Sequence, residues 1–142
     1  MKKLLALAAV TALAAGSVAA VCDDEDSIAD PTAVPTYATK IEDAPIDGLD
    51  VLTLESFPPQ YNLVVTSGLP SGCAVFDKAE ITGRSGNTIT VRVTNIMPDD
   101  PNVACTAIYG YKDTTVPLGS DFTSGQTYTV NVNDKSIDFT AQ

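Results

Sequence analysis

The sequence predicts an all-β chain, an antiparallel immunoglobulin-like β-sandwich of about seven strands over residues 48–142. Three observations point there. From Leu49 onward, β-branched and aromatic residues alternate with polar ones at a period of two. Turn signals rich in Gly, Pro, Asn and Ser recur about every 8–12 residues, the spacing of short sandwich strands. No stretch of this half carries a 3.6-residue apolar period, so helices are not expected.

Leu49–Glu55 reads as a first strand, closed by Ser56-Phe57-Pro58-Pro59. Tyr61–Ser67 reads as a second, with Tyr61, Leu63 and Val65 opposed to Asn62, Val64 and Thr66. Gly68 to Gly72 reads as a turn and Ala74–Thr82 as a third strand, interrupted by Asp77, Lys78 and Glu80. A tight connection at Gly83–Asn87 leads into Thr88–Ile96, where Ile89, Val91 and Val93 alternate strictly with Thr88, Thr90, Arg92 and Thr94. Such alternation marks a half-buried antiparallel strand. Met97–Asn102 reads as a loop, Val103–Pro117 as one long strand or two short ones, and Leu118–Gln126 as a turn region. A last hairpin pairs Thr127–Val132 with Ser136–Ala141. The expected inward set is Val51, Leu63, Val65, Phe76, Ile81, Ile89, Val91, Val93, Ala107, Tyr109, Tyr128, Val130, Val132, Ile137 and Phe139.

The N-terminal part differs in kind. Lys2 and Lys3 precede an apolar run from Leu4 to Ala15 and a small-residue exit, Gly16 to Ala20. Positive, apolar and small regions in that order describe an export signal, read here over residues 1–21. Residues 22–47 read as an acidic flexible linker, because like charges with Pro31, Pro35 and Pro45 stay solvated. Loss of Lys2 and Lys3 would shift the formal charge from −10 to −12. The expected location is extracytoplasmic: secreted, periplasmic, or on the outer face of a membrane.

Cysteine number bears on the form released. Cleavage after Ala20 gives a soluble chain, whereas acylation of Cys22 gives a lipoprotein anchored through that residue. Val21 departs from the small residue expected before an acylated cysteine, while three cysteines are an odd number for an oxidising compartment. Cys73 and Cys105 are expected to form a disulfide, closing a loop of about 33 residues worth about 3.5 kcal/mol in the chain-entropy account.

Function classes narrow by what is missing. The chain has no histidine, hence no default general base or nucleophile-activating partner, and it is read as non-enzymatic with no cofactor. An acidic chain without a basic stripe argues against nucleic acid, since phosphate neutralisation supplies most of that affinity. Membrane association is expected only through lipid on Cys22. Asp99, Asp100 and Asn102 are weak calcium candidates, without an EF-hand pattern and better explained as turn residues. Tyr109 and Tyr111, two apart, are expected at the core edge; facing out, they would instead make a binding face for a protein or glycan. Phe57 and Tyr61, flanking Pro58-Pro59-Gln60, are read in the same two ways. A monomer is expected.

The stretch from Phe57-Pro58-Pro59-Gln60-Tyr61 through Ser67-Gly68-Leu69-Pro70-Ser71-Gly72-Cys73, then Ala104-Cys105-Thr106, Ile108-Tyr109-Gly110-Tyr111 and Leu118-Gly119-Ser120-Asp121-Phe122, resembles an uncharacterised exported bacterial β-sandwich module with two cysteines, often on lipoproteins. The resemblance covers about residues 47–142, implies export and the two-cysteine staple, and carries no catalytic residues. The expected role is a binding or structural module at the envelope. An alternative is a secreted proteinase inhibitor presenting the loop 97–104, and a weaker one is glycan or cell-wall binding through Tyr109 and Tyr111.

Overall fold

A computed structural model of the protein describes residues 36–142. The expected signal peptide, Cys22 and the front of the linker lie outside the described residues. Eight strands follow in order: β1 (Thr39–Asp43), β2 (Ile46–Leu54), β3 (Gln60–Leu69), β4 (Val75–Ser85), β5 (Thr88–Pro98), β6 (Gly110–Gly119), β7 (Thr127–Val132) and β8 (Lys135–Thr140). They form two sheets, β2-β3-β6 and a five-stranded sheet built around β5. The all-β sandwich expected from the alternation is therefore present.

β5, with Ile89, Val91 and Val93 alternating against polar residues, organises its sheet. β4 pairs along its length on one edge. On the other edge β7 takes Thr88–Val91 and β1 takes Thr94–Pro98. The β5–β7 pairing is parallel, a departure from the all-antiparallel expectation; every other pair is antiparallel.

Asn133 closes the gap between β7 and β1. Its backbone has φ +49°, a left-handed conformation that Asn tolerates better than most residues. Its amide nitrogen donates to the carbonyls of Ala44 and Val93, each at 2.8 Å, and its Oδ1 accepts the Val93 N–H at 3.0 Å. One side chain thus satisfies the Val93 N–H and the Ala44 carbonyl, and shares the Val93 carbonyl with the Ala44 N–H.

β1, a strand the sequence does not predict, pairs with β5 ahead of the expected domain start at residue 48. β1 lies within the stretch read as linker, and behind it Ala44 and Ile46 are buried in the core. All five β1 residues are exposed, so no alternation betrays the strand. Backbone bonding to β5 holds it, with ion pairs Lys40–Glu42 and Asp43–Arg92 on its surface.

The core lies between the sheets. Leu63 and Val65 of β3 face Ile89, Val91 and Val93 of β5 and Val130 and Val132 of β7 in one buried cluster. Val51, Phe76, Ile81, Ile137 and Phe139 pack around it, as their alternation implies. Ala107 and Tyr109, expected inside, are exposed, because residues 103–109 form no strand and carry no period to orient them. Tyr61, Val116 and Leu118, absent from the expected inward set, are buried in the core. Tyr61 is 2% exposed, which removes it from any binding face, while its neighbour Phe57 stands fully in solvent.

Candidate functional site

The site grows from the end of β3. Leu63, Val65 and Ser67 point into the sandwich, so Asn62, Val64, Thr66 and Gly68 belong to the outer face of the β2-β3-β6 sheet. Gly68 pairs with Tyr111 of β6, and Thr66 with Asp113. The Thr66 hydroxyl donates to the Asp113 carboxylate at 2.6 Å, confirming the shared face.

Residues 99–109 return from β5 to β6 across this end. The Cys73–Cys105 disulfide fastens the segment to the start of β4, with Cα atoms 5.4 Å apart, as the sequence predicts. The Gly72 N–H donates to the Thr106 carbonyl at 3.0 Å. Two glycines make the approach possible. A Cβ on Gly72 would overlap the Thr106 hydroxyl, and a Cβ on Gly68 would overlap the Tyr109 hydroxyl. Glycine is the residue type that lets another chain segment lie this close.

Tyr109 therefore lies across Gly68. Its hydroxyl donates to Asp47 Oδ2 of β2 at 2.8 Å, so the side chain spans the sheet and is fixed at both ends. That hydrogen bond, assisted by partial burial and the carboxylate charge, holds the Tyr109 phenol above its ordinary pKa of 10.0. Tyr111 packs against it at 5.3 Å with the rings inclined by 67°, an edge-to-face pair. Tyr109 is 43% and Tyr111 67% exposed. The core-edge expectation for these two gives way to an outward ledge. Ile108 beside them is exposed as well.

Beneath the ledge lie buried polar groups, of which Asn95 joins the two sheets while Ser67 and Thr94 each bond within their own sheet. Asn95 of β5 donates from its amide to the Gly68 carbonyl at 2.8 Å, and Ser67 donates to the Lys112 carbonyl at 3.2 Å. Thr94, also buried, donates to Asp77 at 2.7 Å. The backbone under Tyr109 is thus pinned from below by Asn95.

Other expected residues lie apart from this group. Asp100 accepts both the backbone and side-chain N–H of Asn102, each at 2.8 Å, and these bonds hold its carboxyl below the ordinary value of 3.8. Asp100 is thereby committed to its own turn, which the Val103 N–H closes on the Asp100 carbonyl at 3.2 Å. Asp99 donates its N–H to the Ala38 carbonyl beside β1. Among the described residues, no three metal-ligating side chains converge.

From the sequence Asp47, with Asp50 around Gly48, reads only as a cation-favouring acid at the domain entrance, whereas in the structure it accepts from Tyr109; Thr66, Gly68 and Asp113 are not singled out as site residues. Only Gly68 carried a signal, a glycine directly after a strongly alternating strand, where close approach of another backbone is a standing explanation.

The family model of the ORF11 β-sandwich domain matches residues 63–141, which span β3 to β8 and both paired cysteines. An uncharacterised 10.2 kDa protein in the HgiCIIM 5′ region of Herpetosiphon aurantiacus is 32% identical over 89 residues, covering 63% of this chain and 90% of that protein. A second uncharacterised 10.2 kDa protein of that organism, in the HgiBIM 5′ region, is 35% identical over 79 residues, covering 56% of this chain and 92% of its own length. No solved structure matches the chain significantly. With more than half of its length matched, the chain belongs to the ORF11 β-sandwich domain family.

Proposed function

We propose that the protein is an exported, non-catalytic β-sandwich that acts as a binding module at the cell envelope or outside the cell. The observation that carries this reading is the ledge: two exposed tyrosines, one clamped between Gly68 and Asp47, on a segment stapled to the sandwich by a disulfide. Exposed aromatic rings held in one orientation lose little entropy on binding, which favours recognition. The disulfide is consistent with an oxidising, extracellular location. The signal-like residues 1–21 add the route, and lipid on Cys22 would add an anchor.

The inhibitor reading gains less. Met97 and Pro98 of its loop belong to β5 and pair with β1, and residues 100–103 curl into a turn. A protease needs an extended segment, and this one is folded on itself.

Two measurements on the exported protein test the proposal. Intact mass of the extracytoplasmic fraction should show loss of the signal and the two-hydrogen deficit of the disulfide. A photo-crosslinking residue at position 111 should yield an adduct that the same residue at position 134, in the β7–β8 turn, does not. Retention in the cytoplasm with free thiols, or no adduct specific to position 111, would overturn it.

A further inference from the structure

We infer that the tyrosine ledge and the outer face of the β2-β3-β6 sheet bind an uncharged polysaccharide strand. The inference rests on the binding-module reading above and narrows its ligand class. Strand alternation puts Asp50, Leu52, Val64, Tyr111, Asp113 and Pro117 on this face. From the Gly68 row to the Asn62 row the face runs for about 20 Å, long enough for several sugar rings in line.

Its chemistry matches a sugar. A pyranose offers an apolar C–H face and a rim of hydroxyl donors. The inclined Tyr109 and Tyr111 rings make a notch in which one ring stacks on such a face and the other flanks it. Asp47 and Asp113 each use one oxygen in a hydrogen bond within the protein, leaving the other to accept from sugar hydroxyls. Val64, Leu52 and Pro117 continue the apolar footing along the strands.

Charge selects among polymers. The face carries Asp50 and Asp113 with Asp47 at its edge, and none of its strand positions holds Lys or Arg. Lys112, the cation nearest in sequence, belongs to the opposite register and sits over the Phe76 ring at 5.9 Å. Polyanions, including nucleic acid and uronic-acid polymers, are repelled.

The test is retention of the mature full-length protein on microcrystalline cellulose, chitin, alginate–agarose and polylysine–agarose. Retention is expected on cellulose or chitin and not on alginate, unchanged at about 0.5 M salt, because charge pairing is not its source. Tyr111→Ala should weaken retention about tenfold, and Tyr111→Phe, which keeps the stacking surface, should restore it. No retention on either neutral polymer, equal retention of Tyr111→Ala, or salt-sensitive capture by polylysine alone would overturn the inference. A protein adduct at position 111 without polysaccharide retention would sink the saccharide and spare the binding module.

Discussion

Tyr61 and Tyr128 pack with Phe122 and Phe139 at one end of the sandwich, whereas Tyr109 and Tyr111 stand in solvent at the other, about 25 Å away along β3. The buried group is closed on itself. Its rings meet at centroid distances of 4.8–5.7 Å, and both hydroxyls accept backbone N–H groups, from Gln142 at 2.7 Å and Thr123 at 2.9 Å. The exposed pair has one hydrogen bond, from Tyr109 to a carboxylate. The same residue type thus serves stability where its polar tip meets orphan backbone donors, and recognition where a carboxylate only fixes its direction.

If that division holds, substitutions should separate the two ends. The largest effect is expected from Tyr61→Ala. It empties a fully enclosed site and strands the Gln142 amide, and should cost about 3–5 kcal/mol in denaturant unfolding while leaving any ligand retention of the folded fraction intact. Asn133→Ala comes next. It removes three hydrogen bonds at the β1–β5–β7 junction and should cost about 1–3 kcal/mol, with β1 amides losing protection first in hydrogen exchange. Equal loss of protection across all strands would deny that Asn133 acts locally.

The smallest effect on folding is expected at the ledge. Asp47→Asn should change stability by less than about 0.5 kcal/mol, the range of surface substitutions. It should nevertheless bring the Tyr109 phenol down toward 10.0 in a spectrophotometric titration. The sign is fixed by linkage. A raised folded pKa means the Tyr109–Asp47 contact contributes fully below pH 10.0 and is lost as pH rises through the folded value. An unshifted titration in Asp47→Asn would show that the carboxylate does not hold the ring.

Much of this architecture was readable from residue order. β5, β7 and β8 follow from clean alternation of Val, Ile and Tyr with polar partners, and the cysteine pair from the number of thiols and the reading of export. What escaped had physical reasons. β1 buries none of its side chains, so its only signature is backbone pairing with a strand some fifty residues away. Val116 and Leu118 do alternate, but Pro117 between them reads as a strand end; on an edge strand it is tolerated, because the missing N–H faces no partner. Tyr109 falls inward only if a period of two is extended through residues 103–109, which form no strand. The ledge depends on Gly68 meeting Tyr109 over a separation no local pattern reports.

If the disulfide positions the ledge while the core supports itself, removing it should loosen one and spare the other. Hydrogen exchange on the Cys73→Ser/Cys105→Ser double variant tests it most directly. The Gly72 amide, bonded to Thr106, should lose protection together with the Tyr109 segment, while amides of β5 and β7 stay protected against a folding free energy lowered by about 2–4 kcal/mol. Unchanged protection at Gly72, or loss of β5 and β7 in step with it, would show that the disulfide does not act on the ledge separately from the core.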